Sequence, residues 1–113
     1  MPQVKQRVEL VRCTENGEAL MALAAKLCYA GGDVASLLKR IETNDQREFV
    51  SKILKMGHES VMEHISFTFL IEGVSRTLLA QLTRHRIASF SVQSQRYVSY
   101  AKGFNYIVPP SVH

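Results

Sequence analysis

The sequence predicts an α+β fold in which helices pack on one side of a β-sheet. Residues 4 to 12 and 64 to 72 carry the period of two that belongs to strands, and a third short run of β-branched and aromatic residues covers 104 to 108. Between the first two runs, residues 16 to 57 space their apolar residues three and four positions apart, as amphipathic helices do. The resulting order of strand, three helices, strand, helix, loop and strand sets the class.

In the first strand Val8 and Leu10 fall on one face and Arg7 and Glu9 on the other. The period changes at Asn16. Leu20, Leu23, Ala24, Leu27 and Cys28 then form a stripe expected to face inward, and Gly31-Gly32 stops the helix. Asp33 can cap a second helix whose inner residues are Val34, Leu37, Leu38 and Ile41, ending at Thr43-Asn44. Asp45 opens a third, with Glu48 three residues on as in a capping box and Phe49, Val50, Ile53 and Leu54 inward, up to Gly57. The central strand puts Ile65, Phe67, Phe69 and Ile71 opposite His64, Ser66 and Thr68. Helical spacing returns over 74 to 86 through Val74, Leu78, Leu79 and Leu82, and the last strand is predicted just before Pro109-Pro110.

The 113 residues form one domain or part of one, and 46% hydrophobic with 21% charged residues describes a globular chain, not a disordered one. No apolar run approaches the roughly 20 residues a membrane span needs, and the first residues lead into no signal-like segment, so a cytoplasmic location without membrane partners is expected. Cys13 and Cys28 lie fifteen positions apart with no paired-cysteine pattern, which predicts reduced, structural thiols. His58-Glu59 would begin a zinc-protease motif only if His stood at 62, where the chain has Met62, so no metal site is predicted.

Charge is segregated. All ten acidic residues lie between Glu9 and Glu72, whereas residues 73 to 113 hold Arg76, Arg84, Arg86, Arg96 and Lys102 with no acid. Unopposed cations beside a loop attract anions, and the Arg fork matches two phosphate oxygens. Arg84-His85-Arg86, then seven residues, then Ser94 and Arg96 concentrates these groups, with Gln81 one helical turn before the triplet and on the same face. An anionic, phosphate-bearing ligand is the first inference. A small basic nucleic-acid-binding module is the alternative from another class, although Lys-rich runs and known binding motifs are absent.

The stretch R-H-R-I-A-S-F-S-V-Q-S with Q-R-Y after it resembles the signature of the flavin-dependent thymidylate synthases, and G-H-E-S-V-M-E-H-I-S-F-T-F at 57 to 69 is similar to that family's segment ahead of its central strand. The resemblance covers residues 20 to about 110. It implies a mixed helix and sheet fold and a homotetramer with sites at subunit interfaces. The implied reaction is the reductive methylation of dUMP to dTMP, with methylenetetrahydrofolate giving the carbon, FAD carrying the hydride and NADPH reducing the flavin. No cysteine nucleophile is implied.

By the same resemblance Ser60, Arg84, His85, Arg86 and the backbone near Val92 bind FAD. Gln81, Leu82, Thr83, Arg84, Val92, Gln93, Ser94, Gln95 and Arg96 bind dUMP, Arg96 pairing with its phosphate. Ser94 and His58 are then the groups nearest the chemistry, Ser94 read as positioning the pyrimidine because no base for a nucleophile is visible. Two departures stand out. Val92 occupies a place where many members carry an acid, whose role falls to Gln93 or to backbone. The chain also stops at His113, which predicts an N-terminal part, residues 1 to 113, of a single truncated domain that is inactive alone.

Overall fold

The computed structural model describes residues 1 to 29 and 31 to 112. Its elements are β1 (Arg7–Cys13), α1 (Gly17–Tyr29), α2 (Val34–Thr43), α3 (Arg47–Lys55), a 3-10 helix (Glu59–His64), β2 (Phe67–Glu72), α4 (Arg76–Leu82) and a closing 3-10 turn (Pro110–Val112). β1 and β2 form a two-stranded sheet. The class is α+β, as predicted. The chain divides into two compact units, one formed by Leu10–Thr68 and the other by Met1–Glu9 with the chain from Phe69 on.

In the first unit α1 is the hub, packing against α2, α3 and the 3-10 helix. Its buried residues are Met21, Ala22 and Ala25, and the first two form a core with Val50 of α3 that Phe49, Leu54, Val61 and Ile65 extend. The predicted stripe was therefore rotated: Leu27 and Cys28 are exposed, and the Cys28 thiol bonds to the Ala24 carbonyl oxygen at 3.4 Å. Nearly every residue from Ala19 to Cys28 is apolar, so spacing alone does not select a face. In α2, Leu37 and Ile41 are buried as predicted, whereas Val34 and Leu38 are exposed.

The helix ends follow local chemistry. Asp33 accepts from the N–H groups of Ala35 and Ser36, both at 3.3 Å, and so caps α2. At its far end the Thr43 hydroxyl donates to Lys39 O (2.8 Å) and Asn44 Nδ2 donates to Arg40 O (2.9 Å). Asp45 accepts from Arg47 N–H at 3.0 Å, a bond two residues on, in place of the predicted capping box with Glu48. Between these helices sits Gln46, 5% exposed and polar. Its Nε2 donates to Asn44 O (3.2 Å) and Ile41 O (3.5 Å), its Oε1 accepts from Lys26 Nζ (3.2 Å), and that ammonium lies 4.4 Å from the centre of the Phe49 ring. One amide thus ties α1 to the α2–α3 turn.

The second unit is built on close backbone approach. Gly73 has φ 67°, and a Cβ there would overlap the Lys5 carbonyl, so two restrictions act on one residue. Val4 N–H donates to Tyr106 O (2.9 Å) and Tyr106 N–H to Pro2 O (3.2 Å), making an isolated parallel bridge between Gln3 and Tyr106. The strand predicted at 104 to 108 is reduced to this bridge, because Pro2 on one side and Pro109-Pro110 on the other supply no N–H to extend a ladder.

The sheet differs from prediction in length and cover. β2 begins at Phe67, since His64 ends the 3-10 helix and Ile65 turns into the core. Every residue of both strands is exposed, and the elements that α1 packs against are α2, α3 and the 3-10 helix.

Two substitutions test this account. Gly73→Ala should destabilise by about 2–4 kcal/mol, read as a lower denaturant midpoint, because it adds both a left-handed Cβ and a steric overlap. Gln46→Ala should cost about 1–3 kcal/mol by leaving buried carbonyls and Lys26 short of a partner; a stability within about 0.5 kcal/mol of the parent, the range of ordinary surface changes, would contradict the tie that Gln46 makes between α1 and the α2–α3 turn.

Candidate anion site at the end of α4

α4 begins where the Ser75 hydroxyl accepts from Leu78 N–H at 3.0 Å. It ends at Leu82, four residues before the predicted limit of 86. The Thr83 hydroxyl bonds back to Leu79 O (2.9 Å), and Arg84 N–H and His85 N–H donate to Gln81 O (3.3 Å) and Leu82 O (3.2 Å). The chain tightens into three-residue turns there because residues 83 to 86 offer no apolar face to bury. Arg84, His85 and Arg86 accordingly stand beyond the helix, all exposed, and not on its last turn beside Gln81 as the sequence suggested.

The following loop is ordered by its own side chains. Ser94 is half-buried, and its Oγ accepts from Arg96 N–H at 3.1 Å, which places the Arg96 backbone against the Ser94 hydroxyl. Val98 N–H donates to Ser94 O at 3.3 Å. From the first turn of α4 Arg76 Nη2 donates to Gln93 O at 3.3 Å, pinning the loop to the helix one residue before Ser94. Sequence reasoning counted Arg76 among the cations and gave it no role. The available signal was its position: a cation in the first helical turn opposes the helix dipole, so another interaction must hold it there.

A cavity of about 1390 Å³ lies within this unit. Leu82, Val92, Gln93 and Gln95 line it together with Arg76 and the rings of Phe90, Tyr100 and Phe104. Of the other predicted substrate and cofactor residues in the unit, Gln81, Thr83, Arg84, His85, Arg86, Ser94 and Arg96 are not part of that lining. His58 and Ser60 belong to the other unit, where both are exposed at the start of the 3-10 helix and His58 N–H donates to Ile53 O at 3.2 Å.

The electrostatics follow from composition. Ion pairs among the described residues involve only Arg7 and Arg47 as cations. Arg76, Arg84, Arg86, Arg96 and Lys102 have no carboxylate within 4.0 Å among those residues, so their charge is available to a ligand. No group of three or more His, Cys, Asp or Glu among the described residues is arranged to hold a metal ion. No described helix is long and apolar enough to cross a membrane.

An α+β chain with a basic turn free of carboxylates and a serine loop suits an anionic ligand, and comparison with known proteins gives its family. The family model described as thymidylate synthase complementing protein matches residues 9–113, and the chain belongs to that family. It is 50% identical over 107 residues to a flavin-dependent thymidylate synthase of Geobacter sulfurreducens, covering 94% of this chain and 46% of the relative. The corresponding protein of Nitratidesulfovibrio vulgaris is 49% identical over 117 residues, covering 99% and 47%, and that of Pyrococcus furiosus 46% over 92 residues, covering 81% and 38%. The chain spans about half the length of the curated relatives it matches. No solved structure matches it. These matches leave the nucleic-acid alternative without support.

Arg76→Met should free the loop while leaving the core intact. Amide hydrogen exchange at Gln93 to Arg96 is expected to rise several-fold with a global stability change under about 1 kcal/mol. Unchanged exchange in that loop would show that Arg76 does not restrain it.

Proposed function

We propose that the protein takes part in the reductive methylation of dUMP to dTMP as an FAD-dependent thymidylate synthase, with methylenetetrahydrofolate as carbon donor and NADPH as reductant. On this reading residues 1 to 113 are the N-terminal part of one flavin-dependent thymidylate synthase domain, with the fold of that family. The observation that carries the reading is the carboxylate-free run of Arg84, Arg86 and Arg96 around Ser94 inside a region that matches the family throughout.

The residues fit a flavin dinucleotide. Arg84, His85 and Arg86 are exposed cations or donors with no internal acid to satisfy them, which is what a diphosphate requires. Ser60 and the backbone at Val92 complete the proposed cofactor set. When bound, the flavin supplies the hydride chemistry. The chain's own residues bind and orient: Arg96 meets the dUMP phosphate, while Gln81, Leu82, Thr83, Arg84, Gln93 and Gln95 hold the nucleotide, Gln matching a uracil edge. Ser94 positions the pyrimidine, its backbone set by the bond Arg76 makes to Gln93 O. His58 stands beside the flavin as the second group near the chemistry.

A homotetramer with sites at subunit interfaces suits the apolar area this chain leaves open, including Val8, Leu10, Leu70 and Ile71, each 41–54% exposed. A cytoplasmic location goes with the reaction and its soluble substrates.

Titration of FAD into the purified chain, followed by flavin fluorescence, tests the reading. Saturable quenching weakened at least about tenfold by Arg84→Ala, the loss of one charge-assisted contact, is expected, with further change on adding dUMP. Binding that Arg84→Ala leaves untouched, or affinity that falls with salt as steeply as several phosphate contacts demand and accepts any oligonucleotide equally, would overturn it. The 113 residues alone should form no dTMP.

A further inference from the structure

We propose that the cleft between α1 and α2 is a second ligand site, specific for a small anion attached to a flat apolar body, of the aryl phosphate or aryl carboxylate class. It lies wholly in the helical unit, measures about 430 Å³ and is lined by Lys26, Tyr29, Leu37, Arg40 and Asn44. That volume is in the range of small-molecule sites, which run from roughly 300 to 1,000 Å³. The inference does not depend on the proposed function, since none of its residues belongs to the nucleotide or flavin set.

Three features of the cleft are those of a site and not of a surface crease. Its floor is apolar, formed by Leu37, which is 4% exposed. One cation is fixed in place: Lys26 Nζ donates to the buried Gln46 at 3.2 Å and sits 4.4 Å from the centre of the Phe49 ring, leaving two of its three N–H groups for a ligand. The second cation, Arg40, has no carboxylate within 4.0 Å among the described residues.

The usual explanation for cations here is helix capping, since Lys26 and Arg40 occupy the last turns of α1 and α2. At α2 that duty is already met. The Thr43 hydroxyl bonds to Lys39 O at 2.8 Å, and Asn44 Nδ2 bonds to Arg40 O at 2.9 Å. Two of the five lining residues are cationic and none is acidic, so the lining is positive against the roughly half negative charge of each helix end. Tyr29, 85% exposed at the rim, supplies a ring for stacking on the ligand's flat part and a hydroxyl for its anionic end.

The test uses phenyl phosphate as probe on the whole chain, with amide resonances as readout. Saturable shifts centred on Lys26, Leu37 and Arg40 are expected. Arg40→Gln should weaken the affinity about tenfold, and Tyr29→Ala should weaken it several-fold. Both side chains are exposed, so the variants keep the parent's spectral dispersion. Arg12→Gln, an equal charge loss elsewhere on the unit, should leave the affinity unchanged. Absence of saturable shifts, equal weakening by Arg12→Gln, or inorganic phosphate binding as tightly as phenyl phosphate would each overturn the proposal.

Discussion

Thr14 and Ser66 close the helical unit. Thr14 N–H donates to Ser66 O at 3.0 Å and Ser66 N–H returns to Thr14 Oγ1 at 2.9 Å, joining residues 52 apart. Bringing such a loop's ends together costs on the order of 3 to 4 kcal/mol before any further contact is made. Two hydrogen bonds at about 1 kcal/mol each do not offset that, so the closure holds only because α1, α3 and Ile65 bury apolar surface inside the loop. The dependence is mutual. The 3-10 helix and Ile65 reach the α1 core from the side where Ser66 is held, and without that hold the core loses its lid.

Element order was legible because each segment announces itself locally. Asp33 caps α2 as its position predicts, and the strict alternation of β2 admits no helix. Burial was less legible, for a physical reason. α1 is apolar on two faces, so its pattern could not say that Met21, Ala22 and Ala25 go inward while Leu27 and Cys28 stay outside. The same holds for β2, whose alternation marks a buried face although both faces are exposed within this chain. Pattern reports which surface a residue is suited to, and the partner that covers it is decided elsewhere.

The candidate site shows the opposite balance. Its charge was readable from the sequence alone, since acids stop at Glu72. Its geometry was not. A helical reading put Gln81 beside the basic triplet, whereas Thr83 bonding to Leu79 O ends the helix and sends Arg84 to Arg86 into turns. Nor does any periodicity reveal that Arg76 reaches seventeen residues ahead to Gln93 O. A guanidinium spanning two segments is a tertiary fact.

The pairing of β1 with β2 also bears on how the chain is made. Synthesis at about 5 to 20 residues per second leaves β1 waiting roughly 3 to 12 s before its partner strand is polymerised. During that interval Val8, Leu10 and Val11 form an unpaired, half-apolar edge on a nascent chain. Arg7, Glu9 and Arg12 interrupt that run with charge and act as gatekeepers against pairing with a neighbouring nascent chain. The charges on this strand therefore serve the ribosome-bound chain as much as the finished molecule.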